Sequence, residues 1–235
     1  MAAKVCFEDR GLGRAVEKQL RRWEIACSQN PGAESRNGDP VYSYVAMSNE
    51  VGAGGDEIAA LLGSRLGWPV FDKEILQEMA RNDEVRARLY KSMDERDLGW
   101  FEETFRALMQ QEFCRNDYFS RLTETVLCLA RQGPAIFLGR GVDLILPAEQ
   151  GLRVKVIASR WRRVENFARR AKVSIQEAAA QIERIEQERR DFFRRFFHAE
   201  AEDSTRFDLL INVERFSAQE ATELICLAMK ARLEV

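Results

Sequence analysis

The segment that most constrains the fold lies between residues 41 and 73. Residues 41–47 form an apolar and aromatic run, interrupted by one serine, of the kind found in buried parallel strands. A loop with three glycines follows at once, and from Glu57 the apolar positions recur every three or four residues as far as Gly67. The short run 68–71 then precedes Asp72. This order predicts a strand, a glycine-rich turn, a helix and a second strand, the opening of an α/β domain.

Further strand signals follow, separated by helical patterns. They cover residues 135–138, 153–158 and 207–213. Residues 83–132 and 174–197 carry apolar side chains at helical spacing, and capping boxes begin at Ser174 and Ser217. Strands joined by helical crossovers form parallel sheets that are covered on both faces. We therefore predict a three-layer α/β fold with a central parallel sheet of about five strands, with ligand sites at the carboxyl ends of the strands.

The N-terminal region differs in pattern from the rest. We predict that residues 1–40 form a helical appendage and linker, because an amphipathic helical pattern is followed by a stretch rich in Gly, Pro, Asn and Ser. Residues 41–235 are predicted to form one domain around one core. The apolar face of the appendage helix, with Leu20 and Trp23, could cap this domain or join two copies in a homo-oligomer, and the pattern fits both.

Composition disfavours several function classes. The chain has 36 basic and 38 acidic residues and a formal net charge of -2, so no overall field attracts nucleic acid or anionic lipid. The five cysteines form no CxxC pair, which argues against a disulfide framework or a zinc cluster and favours a reducing compartment. The single histidine disfavours a histidine-based triad. Without a membrane-spanning run or a signal pattern, we expect a cytoplasmic protein with no membrane or nucleic-acid partner.

The glycine loop is the first candidate site. Between a strand and a helix, backbone N–H groups and the helix dipole form an anion site. The candidate nucleotide-binding residues are Gly52, Ala53, Gly54, Gly55, Asp56 and Glu57. A complete phosphate-binding motif has Lys and then Ser or Thr after its last glycine, where this chain has Gly55 and Asp56. An alternative is therefore that the three glycines only permit a tight turn between the strand and the helix, with no role in binding. A dinucleotide site is a weaker alternative, because Glu57 replaces the third glycine of that motif.

Asp56 has two opposite interpretations. A carboxylate in the first turn of a helix is favourable with the helix dipole, but it repels a phosphate bound at the same place. Carboxylate oxygens are also ligands that Mg²⁺ prefers. Asp56 is therefore also a candidate magnesium ligand.

The order of motifs along residues 41–233 resembles the cytidylate kinase-like family, a branch of the nucleoside monophosphate kinases. The matching residues are Ser48-Asn49, Gly52-Ala53-Gly54-Gly55, Ile58-Ala59, Leu66-Gly67, Asp72-Lys73-Glu74, Gly139-Arg140-Gly141, Glu186 with Arg189, Phe207-Asp208 and Ile211-Asn212. The family has an arginine where this chain has Asn49, and a non-acidic residue where it has Asp56. Several motifs in the same order make the likeness specific.

The resemblance implies a P-loop kinase fold in which the glycine loop binds ATP with Mg²⁺. It also implies a helical acceptor-binding insertion at about residues 74–132 and a helical lid at about residues 172–206. By the same resemblance, Asp72 and Arg140 fall where such kinases contact the acceptor. Arg163 and Arg189 fall where arginines approach the phosphates, and are the candidate catalytic residues.

The residue types support part of this assignment. Arg140 follows a buried-strand signal and lies between two glycines, which places it at the carboxyl edge of the sheet. The arginines of residues 160–195 are planar donors that suit phosphate. Acidic residues lie among them, however, so each could equally belong to a solvated ion pair. Asp72 is also placed to cap the next helix, a role compatible with acceptor binding.

The expected function is ATP-dependent phosphoryl transfer to a nucleoside monophosphate, with CMP or dCMP as acceptor. Such a transfer needs aligned substrates, magnesium and converging positive charge. The alternative is a kinase-like nucleotide-binding or regulatory module without donor chemistry, for which Asn49 and Asp56 argue. RNA binding through the arginines is disfavoured, because the interleaved acids leave no one-sided basic face.

Overall fold

The computed structural model describes residues 10–29, 43–93, 95–110 and 116–233. The strands in these ranges are β1 (Tyr44–Asn49), β2 (Val70–Phe71), β3 (Ala135–Leu138), β4 (Gly151–Ile157) and β5 (Leu209–Asn212). The helices are α1 (Arg10–Gln29), α2 (Gly55–Leu66), α3 (Lys73–Arg81), α4 (Asp83–Lys91), α5 (Glu95–Gln110), α6 (Asp117–Gln132), α7 (Val142–Ile145), α8 (Arg160–Ala171), α9 (Ile175–Phe197) and α10 (Ala218–Leu233). No helix in these ranges is both long enough and apolar enough to cross a bilayer. The start of the first predicted strand, residues 41 and 42, lies outside the described residues.

The five strands form one parallel sheet in the order β2-β3-β1-β4-β5, which confirms the predicted fold class. β1 lies in the centre, where Ala46 pairs with Phe137 of β3 and with Arg153 of β4. Because β1 and β3 are parallel neighbours, their carboxyl ends meet at one edge of the sheet. The Gly139 N–H donates to the Met47 carbonyl oxygen at 2.8 Å. The loops after β1 and β3 are therefore adjacent.

Helices cover both faces of the sheet. Successive side chains of a strand point to opposite faces. Tyr44 and Ala46 of β1 belong to a core shared with α3 and α6, whereas Val45 and Met47 belong to a core shared with α2 and α10. β1 is thus buried on both sides, which explains its nearly continuous apolar sequence.

Helix α1 packs on the same face of the sheet as α3 and α6. Leu20 and Trp23 are 1% and 4% exposed, and Trp23 Nε1 donates to the carbonyl oxygen of Leu129 in α6 at 3.2 Å. The Gln19 side chain accepts a hydrogen bond from the N–H of Val70 in the edge strand β2 at 3.2 Å. The apolar face of α1 is therefore buried against the domain, the first of its two predicted uses.

Helices α8 and α9 connect β4 to β5. The predicted capping box starts α9, since Ser174 Oγ accepts from the Glu177 N–H at 3.2 Å and the Glu177 carboxylate accepts from the Ser174 N–H at 3.0 Å. At the other end of α9, Phe196 stacks on Phe119 of α6 with ring centroids 5.3 Å apart. The C-terminal end of α9 is therefore anchored in the core of the domain.

Candidate functional site

A cavity of about 630 Å³ opens at the carboxyl edge of the sheet, where the loops after β1 and β3 meet. Residues from the start of α3 and the middle of α9 supply much of its wall. The wall also contains four of the predicted site residues, Asp56, Asp72, Arg140 and Arg189. This is the edge at which parallel α/β sheets bind ligands.

The loop between β1 and α2 has the geometry of an anion cradle. Gly52 and Gly54 have φ angles of 86° and 81°, which glycine adopts without strain. A Cβ on Gly55 would lie 2.5 Å from the Cβ of Asn49, so this position also requires glycine. Within the described residues, no protein acceptor binds the N–H groups of Gly54 and Gly55. These donors lie at the positive end of the α2 dipole, where an anion can bind.

Ala53 and Glu57 shape this loop rather than face the cavity. The Ala53 N–H donates to the Glu50 carbonyl oxygen at 3.0 Å, and the Ala53 side chain is buried. The Glu57 N–H donates to the Gly54 carbonyl oxygen at 3.2 Å, and the Glu57 side chain is exposed. Neither is among the described residues that line the cavity.

Arg163 on α8 holds the loop in shape. Its buried side chain donates from Nε to the Ala158 carbonyl oxygen at 3.2 Å and from Nη1 to the Val51 carbonyl oxygen at 3.4 Å. It also forms ion pairs with Glu50, at 3.3 Å, and with Glu186 of α9. In this arrangement the charge of Arg163 is matched inside the protein, and Arg163 is not among the described residues that line the cavity.

Glu50, Glu186 and Asn166 complete this support. Glu186 belongs to a motif that matches the family, but none of the three is a predicted site residue. The Glu50 carboxylate accepts from the Ala158 N–H at 3.0 Å, which joins the loop to the end of β4. Asn166 Nδ2 donates to the Gly52 carbonyl oxygen at 3.1 Å, across 114 positions of sequence. Because the contacts are formed by tertiary packing, no local spacing signals them.

Arg189 contacts the same loop from α9. Its Nη1 donates to the Asn49 carbonyl oxygen at 2.5 Å, which places the guanidinium beside the end of β1. Burial lowers its pKa, while the nearby Glu186 and Glu50 oppose that shift. An arginine remains protonated in such surroundings. Arg189 therefore brings a positive charge to the cavity wall next to the loop.

Asp56 is paired with Arg170 of α8. Nη1 of Arg170 donates to Oδ1 of Asp56 at 3.0 Å, and Nη2 bonds to Oδ2. This hydrogen bonding from Arg170 is the main reason why the pKa of Asp56 is lowered. The matched charge reduces the repulsion toward a phosphate. A magnesium ion on Asp56 would have to displace the guanidinium, and the described residues contain no group of three or more His, Cys, Asp or Glu that could hold a metal.

Arg140 is held at the carboxyl end of β3 by contacts from two other regions. The three successive residues from Gly139 to Gly141 all have positive φ, 83°, 59° and 68°. Nη2 of Arg140 donates to Gln77 Oε1 of α3 at 2.5 Å. The guanidinium carbon lies 5.3 Å from the ring centroid of Phe192 in α9 and 6.0 Å from that of Tyr118 in α6. Arg140 thus contacts the helical insertion and the α8–α9 pair at once.

Asp72 lies at the end of β2 and also starts α3. Its Oδ1 accepts from the Ile75 N–H at 2.9 Å, which confirms the predicted helix cap. Burial raises its pKa, since a partly desolvated carboxylate is less easily ionised. Asp72 also lines the cavity, so capping does not prevent contact with a ligand.

The cavity has two chemically different sides. On one side, beside β1, lie Asn49, Asp56 and Arg189. Asn49 and Asp56 flank the cradle of N–H groups, whose glycines are not among the described residues that line the cavity. On the other side, at the ends of β2 and β3, lie Asp72 and Arg140. Two anionic ligands could bind next to each other here, the arrangement that a group transfer requires.

A solved structure shares this fold, and two others are matched at lower similarity. The crystal structure of an uncharacterized protein from Eubacterium ventriosum superposes with a TM-score of 0.66 at 18% identity, over 81% of this chain and 99% of the other. A gluconokinase from Sinorhizobium meliloti (TM-score 0.44, 12% identity) covers 83% of this chain and 95% of its own. A shikimate kinase from Bacteroides thetaiotaomicron (TM-score 0.43, 13% identity) covers 82% and 99%. No curated protein matches the sequence.

A family model identifies the chain more closely than these structures do. The model of the cytidylate kinase-like family matches residues 44–215, from the start of β1 to just beyond β5. The matched part contains every predicted site residue and all the residues that line the cavity. The chain belongs to the cytidylate kinase-like family.

Proposed function

We propose that this protein transfers the γ-phosphoryl group of ATP to a nucleoside monophosphate, with CMP or dCMP as the acceptor and Mg²⁺ as the accompanying ion. The observation that carries the proposal is one cavity whose wall contains Asn49 and Asp56, which flank the glycine loop, together with Asp72 and Arg140. A transfer between two bound phosphates requires that the two sites share one space.

Each side of the cavity has a proposed role. The N–H groups of Gly54 and Gly55 bind the donor phosphates, and the loop keeps its shape through Arg163. Arg189 supplies positive charge where the transferred group passes between donor and acceptor. Arg140 binds the acceptor phosphate, and Asp72 accepts hydrogen bonds from its base or sugar. Hydrogen bonds within the protein hold most of these side chains, which lowers the reorganisation that the reaction needs.

Magnesium would enter this site with the nucleotide. When bound, Mg²⁺ neutralises part of the charge on the transferred phosphate. The described residues offer no carboxylate cluster for it, and the side chain of Asp56 is already paired. Phosphate oxygens and water are therefore its proposed main ligands.

A coupled assay that records ADP formation tests the proposal. Purified protein is incubated with Mg-ATP and, separately, CMP, dCMP, UMP, AMP or GMP. We expect turnover with CMP or dCMP above the rate of ATP hydrolysis without acceptor. The absence of turnover with every acceptor at micromolar enzyme would remove the proposed activity.

The second candidate is a binding or regulatory module that recognises a monophosphate without using ATP. The observation in its favour is the carboxylate of Asp56 in the first turn of α2, beside the donor cradle. Calorimetry with Mg-ATP and with CMP, each alone, separates the two. Binding of CMP without binding of Mg-ATP would favour the module.

A further inference from the structure

The glycine loop contains no cation of its own. Gly55 occupies the position at which a phosphate-binding motif carries the lysine that reaches the outer phosphates. Two arginines that contact the loop are already bonded to its backbone, Arg163 to the Val51 carbonyl oxygen and Arg189 to the Asn49 carbonyl oxygen. In the proposed function Arg189 serves the transferred group, and the charge of Arg163 is matched by Glu50 and Glu186. The charge that a loop lysine would add at the donor phosphates therefore has to come from a further side chain.

One face of α8 contacts this loop. Residues three and seven positions after Arg163 share its side of the helix. The three contacts are Arg163 to the Val51 carbonyl oxygen, Asn166 to the Gly52 carbonyl oxygen and Arg170 to the Asp56 carboxylate. The packing of α8 therefore places the backbone of Arg170 beside the loop, and the bonds to Asp56 orient its side chain.

The guanidinium of Arg170 has donors left for a ligand. A guanidinium carries five N–H donors, and the bonds from Nη1 and Nη2 to Asp56 use two of them. The side chain is 62% exposed, so solvent and ligands reach it. Because Asp56 directly follows Gly55, this charge lies beside the first turn of α2, where the N–H groups of the cradle are found. The bonds to Asp56 also raise the pKa of Arg170, so it stays charged.

We propose that Arg170 supplies the positive charge for the outer phosphates of the donor nucleotide, in place of a lysine within the loop, and that Asp56 orients it. The inference rests on the proposed function and specifies how its donor site works. The acidic residue in the loop and the missing lysine then have one explanation, because Asp56 orients the arginine that takes the place of the lysine. Asp56 is a positioning residue, and Arg170 is the residue that touches the donor.

Calorimetric titration of Mg-ATP and of AMP tests this role. Arg170→Ala should weaken Mg-ATP binding about 10- to 100-fold, the effect of one lost charge-assisted contact. AMP lacks the outer phosphates, so its affinity should change much less. Arg169→Ala is the matched control, because Arg169 is exposed on the same turn and contacts Glu165 and Asn166 instead. Its Mg-ATP affinity should equal that of the wild type.

A double variant separates a role for charge from a role in packing. Asp56→Arg combined with Arg170→Ala places an arginine directly in the loop and should recover most of the lost Mg-ATP affinity. Wild-type affinity in Arg170→Ala would overturn this inference and leave the proposed function intact. An equal loss for AMP and Mg-ATP, or no recovery in the double variant, would also overturn it. A wild-type protein that binds no Mg-ATP would remove both.

Discussion

Arg140 lines the cavity at the carboxyl end of β3. It lies between two glycines with positive φ, and its side chain contacts Gln77 and two aromatic rings. Arg140→Ala should raise the KM for CMP about 10- to 100-fold, because a charge-assisted contact to the acceptor phosphate is lost. The affinity for Mg-ATP should not change. Steady-state kinetics with varied CMP and calorimetry with Mg-ATP measure the two effects.

The control for this prediction is Arg194→Ala, which removes an exposed arginine of α9 that pairs with Glu200. It should leave both constants unchanged. An unaltered KM for CMP in Arg140→Ala would show that the acceptor binds elsewhere.

Gly52 is a loop position with no room for a side chain. Its φ is 86°, and a Cβ there would overlap the carbonyl oxygen of Arg163. Gly52→Ala should therefore lower the free energy of unfolding by about 1–3 kcal/mol, because both the backbone strain and the overlap must be relieved. Gly13→Ala is the opposite control. Gly13 lies in α1, and a Cβ added there would meet nothing within 4 Å, so alanine should raise the free energy of unfolding by about 0.5–1 kcal/mol.

Urea unfolding of the two glycine variants and the wild type, followed by circular dichroism, gives these differences. A Gly52→Ala protein as stable as the wild type would contradict the tight contact between the loop and α8.

Between elements, the ion pair of Asp56 and Arg170 joins α2 to α8. Its contribution to the free energy of unfolding should depend on pH. The pKa of Asp56 is lowered below its ordinary value of 3.8, chiefly by hydrogen bonding from Arg170. The pair therefore stabilises the folded state above that ordinary value, and this contribution is lost as the pH falls through the lower, folded-state pKa. Both side chains are about half exposed, so the contribution is small.

Comparison of wild type with Asp56→Asn across pH tests this coupling. The difference in free energy of unfolding should be constant at pH values well above 3.8, and it should decrease toward zero as the pH falls below that ordinary value. A difference that grows on acidification would contradict the assigned ion pair.

At the scale of elements, local sequence patterns predict much of what is observed. The strand at residues 135–138 and the capping boxes at Ser174 and Ser217 depend on neighbouring residues, and the structure confirms them. The apolar periodicity of α2 begins at Glu57, but the helix itself starts at Gly55. The residue at its N-terminal cap is Gly54, which has a left-handed conformation. Periodicity of apolar residues carries no signal for such a start.

The side-chain contacts that hold the glycine loop cannot be predicted from local patterns, because they join residues that are far apart in the sequence. Arg170 and Asp56 are 114 positions apart, and their contact depends on how α8 packs beside the loop. The sequence indicates that arginines converge near the cavity. It does not indicate which of them line the cavity, as Arg189 does, and which are held away from the cavity by bonds within the protein, as Arg163 is.

For the whole molecule, α1 is part of the core that lies beneath α3 and α6. Trp23 is buried against α6, and its Nε1 donates to Leu129. Trp23→Ala should lower the free energy of unfolding by about 3–5 kcal/mol, as for other large buried aromatic residues. Ile25→Ala, at a position that is 54% exposed, should change it by less than about 0.5 kcal/mol. Thermal and urea unfolding measure both, and equal stability of the two variants would contradict the packing of α1.

The parallel sheet explains how distant parts of the chain form one site. β1 and β3 are neighbours, so the glycine loop and Arg140 meet at one edge, and β2 adds Asp72 beside them. Helix α9 crosses the same edge and contributes Arg189 while its C-terminal end stays anchored in the core. The central claim is that donor and acceptor bind together in this one cavity.

Transfer of a labelled phosphate tests that claim most directly. The protein is incubated with Mg²⁺, CMP and ATP labelled in the γ-phosphate, and the products are separated. The account predicts that the label appears in CDP, and that Arg140→Ala reduces its appearance at low CMP. Label released only as inorganic phosphate, or retained in ATP with every monophosphate offered, would contradict it.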